Sequence, residues 1–116
     1  MSNYHEPAEE LSKETRDFSR ALNSLKEEIE AVDWYQQRVD VTSDEQLKAI
    51  LEHNRDEEIE HACMTLEWLR RNMPGWEDEL RENLFKEGDI AHHGHDEDED
   101  EDGSDESGEL NIGTLK

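Results

Sequence analysis

The sequence predicts an all-α fold: an antiparallel two-helix hairpin, a short third helix and a disordered acidic C-terminal tail. Apolar residues recur at three- and four-residue spacings through the first 72 positions. No stretch alternates at period two, and Pro74, Gly75 and Gly88 punctuate the rest of the chain. A hairpin of this composition is expected to dimerise into a four-helix bundle.

The first helix is expected over about residues 7–39. Pro7 suits a first turn, and the acids of "AEELSKE" suit the positive end of the helix dipole. Phe18, Leu22, Leu25, Ile29 and Val32 then form a heptad-like seam. "DVTSDEQ" breaks the pattern, and Thr42 with Glu45, or Ser43 with Gln46, is read as a capping box opening the second helix. That helix should run to about Asn72, where "NMPGW" stops it. A third helix over residues 76–86 carries Trp76, Leu80 and Leu84 at i, i+4 and i+8.

With 116 residues, 31% hydrophobic and 40% charged, the chain is poor material for a self-sufficient core. Its formal net charge is −22, and eleven acids against one lysine from Asp89 onward supply −10 of it. This charge excludes nucleic acid and anionic membranes as partners and favours metal cations. Cys63 is the only cysteine, so no intrachain disulfide can form; a reducing compartment and a small buried thiol are expected. No apolar run approaches membrane-spanning length, and "MSNYHEPAEE" lacks signal-peptide character, so a soluble, cytoplasmic protein is expected.

Within "DEEIEHACM", Glu58 and His61 stand three apart, on one helix face. Carboxylate and imidazole at i, i+3 is how helix bundles offer ligands to a pair of metal ions. Leu51, Asn54, Glu58, His61, Thr65 and Trp68 form one stripe, and Ala21, Leu25, Glu28 and Val32 form another on the first helix. In a hairpin turning near residue 43, Glu28 falls opposite Glu58, so three ligands should converge at one level. Buried carboxylates need compensation. Two divalent cations among four glutamates and two neutral histidines would balance the charge, with a second chain supplying half the set. Such ligands suit iron or manganese, and zinc remains open.

Other readings compete. Glu58 and His61 could be solvated helix residues. Glu27, Glu30 and Trp34 share one face, and His53, Glu57 and Glu60 another; either could hold metal or be a solvated surface. Trp34, Tyr35 and Trp68 read as packing residues, and "AHHGH" as a flexible linker.

The strings "HEPAEEL", "EEIEAVDWYQQRVD", "HNRDEEIEHACMTLEWLRRN" and the terminal "LNIGTLK" resemble the encapsulated ferritins, the ferritin-like cargo of encapsulin nanocompartments. The likeness spans residues 5–87 and the last seven. It implies a ring of dimers, typically decameric, whose ferroxidase centre oxidises Fe(II) to Fe(III) for mineralisation and storage within the encapsulin shell. It also implies Glu28, Glu58 and His61 as iron ligands of a di-iron centre, with Tyr35 close by. Glu27, Glu30 and Trp34 match the family's site of metal admission, and His53, Glu57 and Glu60 a peripheral site open to other divalent cations. The competing class is a non-enzymatic helical adaptor or metal buffer with an acidic tail.

The expected organisation is a ferritin-like helical domain over residues 1–87, a disordered acidic linker over 88–109 and an encapsulin-targeting peptide over 110–116. As a flexible coil the 22-residue linker would span roughly 26 Å. Leu110, Ile112 and Leu115 would then suit small apolar pockets on a shell wall, with many copies adding avidity.

Overall fold

The computed structural model describes residues 4–91, all of them helical or irregular with no strand. They divide after Met73 into two units. The first is the hairpin of α1 (Lys13–Val41) and α2 (Glu45–Asn72). The second carries α3 (Trp76–Asn83).

The expected helix start at Pro7 is corrected. Pro7 opens a separate 3₁₀ turn, Ala8–Glu10, and the chain then extends at Leu11 before α1 begins. Ser12 caps α1, its hydroxyl accepting from the Thr15 amide at 3.0 Å. Arg16 reaches back from α1 and donates to the Ala8 carbonyl, tying the turn to the helix.

Neither proposed capping box forms. Asp44 caps α2 by accepting from the Leu47 amide at 2.9 Å, its carboxylate at the positive end of the helix dipole. Thr42 instead ends α1: its hydroxyl donates to the Arg38 carbonyl at 2.6 Å.

The seam also differs from the expected one. The shielded positions of α1 include Phe18, Ala21, Leu25, Glu28, Val32, Tyr35 and Val39, while Leu22 and Ile29 lie exposed, Ile29 by 56%. The face at 21/25/28/32, which carries the carboxylate, is the one that meets α2. On α2 the shielded positions include Leu51, Arg55, Glu58, Ala62, Thr65 and Leu69. Leu69 is fully covered, and with Val39 it is the whole buried apolar core among the described residues. Phe18 and Trp68 meet edge to face, ring centroids 6.3 Å apart, at the open end of the hairpin. Arg55 bridges the helices by donating to Gln36 at 2.8 Å.

Cys63, expected to be buried, is exposed, since it falls on the opposite side of α2 from Ala62, Thr65 and Leu69. In the second unit Gly75 caps α3 with φ of 104°, a conformation that glycine adopts without strain. α3 ends at Asn83 rather than at residue 86. The Asn83 side-chain Nδ2 donates to the Glu79 carbonyl at 2.9 Å, Leu84 turns extended and Phe85 takes a left-handed φ of 58°.

The last turns of α2 are braced by charge. Arg70 grips both oxygens of Glu67 at 2.8 and 2.7 Å, and Arg71 adds a bond of 2.7 Å. These hydrogen bonds, that of Arg70 first, hold the Glu67 carboxyl down at about 2. A depressed carboxyl stabilises the fold above its ordinary value of 4.5 and loses that contribution as pH falls toward 2. Glu67→Gln should therefore lower the thermal midpoint at about pH 6, with the gap to wild type closing by about pH 2. Melts followed by circular dichroism across that range check it, and a gap independent of pH would count against it.

Candidate metal centre

The i, i+3 spacing on α2 brings Glu58 and His61 together as expected. Glu58 Oε1 lies 3.6 Å from His61 Nδ1, with side-chain exposures of 27% and 44%. That separation is too long for a hydrogen bond. It is shorter than two metal–ligand bonds of about 2.1 Å laid end to end, so one cation can touch both atoms. The pair fits a cation and remains open to solvent at His61.

The expected convergence of three ligands at one level is not formed within the chain. Glu28 Oε1 accepts from the Thr65 hydroxyl at 3.0 Å, in half-buried surroundings. Thr65 lies two helical turns beyond Glu58. Helical side chains lean toward their own N-terminus, which for α1 is the open end of the hairpin. The Glu28 carboxylate is therefore carried toward the later residues of α2. Among the described residues no three carboxylate, imidazole or thiolate groups come together closely enough to hold a metal ion. One chain thus offers the Glu58/His61 pair, with Glu28 across the seam on the far side of His61.

Tyr35 shares the Glu28 face two turns on, and the Arg38 guanidinium sits 5.0 Å from its ring centroid. Glu27 and Glu30 are exposed, as is Trp34 by 50%, beside a shallow groove shared with Gln37, Arg38 and Val41. His53 Nε2 lies 3.3 Å from Glu57 Oε2 on the surface of α2; Glu60 takes no part in that contact. The tail histidines and residues 110–116 lie outside the described residues.

Thr65 is the residue whose role sequence reasoning missed. It stands on the Glu58/His61 stripe, four positions beyond His61, and that spacing was its one visible signal.

The EncFtn-like family model matches residues 3–87, which include all three helices. The chain belongs to the EncFtn-like family. A ferritin-like protein of Thermotoga maritima is 61% identical over 105 residues, 90% of each chain, so that likeness runs past α3. An encapsulated ferritin-like protein of Rhodospirillum rubrum is 61% identical over 87 residues. That match covers 75% of this chain and 62% of the relative, so the present EncFtn-like chain spans about three-fifths of it. A crystal structure of a Nitrosomonas europaea protein superposes with a TM-score of 0.75 at 58% identity, over 78% of this chain and all of that one.

Among the described residues no helix is long and apolar enough to cross a membrane.

Proposed function

We propose that this chain is a ferroxidase cargo subunit, oxidising Fe(II) to Fe(III) at a di-iron centre shared between two copies, for mineral storage inside an encapsulin shell. The observation that carries the reading is the Glu58/His61 pair, 3.6 Å apart and half-shielded, with Glu28 on the facing helix. The family membership and the name of the Rhodospirillum relative support it. A two-fold axis would bring a second Glu28, Glu58 and His61, giving four carboxylates and two imidazoles for two ferrous ions.

In this scheme Fe(II) is the substrate. Glu28 and Glu58 supply the negative charge that favours the ferric product, and His61 supplies a neutral donor. Each ferrous ion gives up one electron to an oxygen acceptor, and the carboxylates hold the two ions close enough to react as a pair. Tyr35 would stand near the centre. Glu27, Glu30 and Trp34, exposed on α1, would admit metal, while His53, Glu57 and Glu60 would take divalent cations at the periphery. The assembly would be a dimer within a decameric ring, and residues 110–116 would bind the shell.

Two measurements test this. Glu58→Ala and His61→Ala should each abolish most of the oxygen-dependent colour that develops on Fe(II) addition, whereas Glu27→Ala should slow delivery more than chemistry. Wild-type stopped-flow kinetics in His61→Ala would remove the assignment of the centre, whereas no oxygen-dependent colour from the unaltered chain would favour a passive metal buffer. For the address, deleting residues 110–116 should leave oxidation intact and abolish loading into co-expressed shells, and equal loading would refute it.

A further inference from the structure

The Glu28 carboxylate is held across the hairpin by one donor, the Thr65 hydroxyl, 3.0 Å from Oε1. In helices a threonine hydroxyl commonly turns back to the carbonyl one turn earlier. Its single proton goes to Glu28 here, so it cannot serve the helix as well. Thr65 also lines a groove of about 410 Å³ with Ala21, Met64 and Trp68, where Trp68 also meets Phe18.

We propose that Thr65 is the positioning residue of the Glu28 ligand. Its hydroxyl holds the carboxylate in the seam, one turn from His61, before any cation arrives. It stays on Oε1 while Oε2 remains free for the metal. Glutamate has three side-chain torsions, and the bond fixes them at folding rather than at metal capture. Ligating carboxylates are themselves hydrogen-bonded in metal sites, and loss of such a partner weakens metal affinity by about tenfold or more. The inference rests on the reading of Glu28, Glu58 and His61 as the iron-binding set.

The test uses the full chain and two substitutions. Thr65→Val keeps the shape and removes the hydroxyl; Thr65→Ser restores it. Co(II), which binds without being oxidised under these conditions, is titrated by its visible absorption, with the metal-free melt recorded for each variant. Thr65→Val should bind Co(II) about tenfold more weakly, and Thr65→Ser should recover most of that loss. The Fe(II) concentration for half-maximal oxidation should rise in proportion, with the maximal rate less affected. Wild-type Co(II) affinity in Thr65→Val overturns the inference, as does an equal loss in both variants, which would mark a packing effect. Glu28→Ala separates the two levels. If it weakens Co(II) binding while Thr65→Val does not, only the positioning role fails; if it leaves Co(II) binding unchanged, the ligand reading fails and the inference with it.

Discussion

The seam between α1 and α2 sets a glutamate from each helix among its apolar side chains. Glu28 and Glu58 both occupy shielded positions, and only Val39 and Leu69 are buried as apolar core among the described residues. At about 25 cal/mol per Å² of apolar surface, so small a core contributes little against the entropy of ordering two long helices. Ile29, Ile50 and Met64 each remain more than half exposed. In the proposed assembly a second copy would complete the ligand set.

What the isolated hairpin does possess is strong local order. Ser12 and Asp44 cap the two long helices, and Thr42 closes the first. Arg70 and Arg71 clamp Glu67 near the end of α2. These contacts fix helix phase, and helix phase decides which faces meet. The Glu58/His61 pair follows from i, i+3 spacing on α2 alone, and Glu28 finds Thr65 across the seam because their faces meet. A chain of net charge −22 is rich in carboxylates, so their placement, more than their number, gives the site its character.

Much of this was legible in the sequence, because helix periodicity and breakers are local. The two long helices, the break near residue 43, the stop at Pro74 and the shared face of Glu58 and His61 all come from spacing. The failures were of two kinds. Ser12 and Asp44 were missed because several Ser, Thr and Asp residues compete within a few positions, and backbone geometry chooses among them. Leu22 and Ile29 were assigned inward because two overlapping stripes on α1 share Leu25 and Val32, and periodicity alone cannot say which one faces α2. The Glu28–Thr65 bond depends on side-chain lean as well as register, so counting residues from the turn set Glu28 against the wrong partner.

Sedimentation of the full-length, metal-free chain, repeated with Fe(II) under anaerobic conditions, bears most directly on the dependence of core and site on a second copy. The chain should sediment as a dimer or larger, and Fe(II) should strengthen the assembly, since a ligand held only by the associated form stabilises it. The Glu58→Ala variant should lose that response to Fe(II). A folded monomer that binds iron at micromolar protein, with native circular dichroism and no shift in mass, would contradict it.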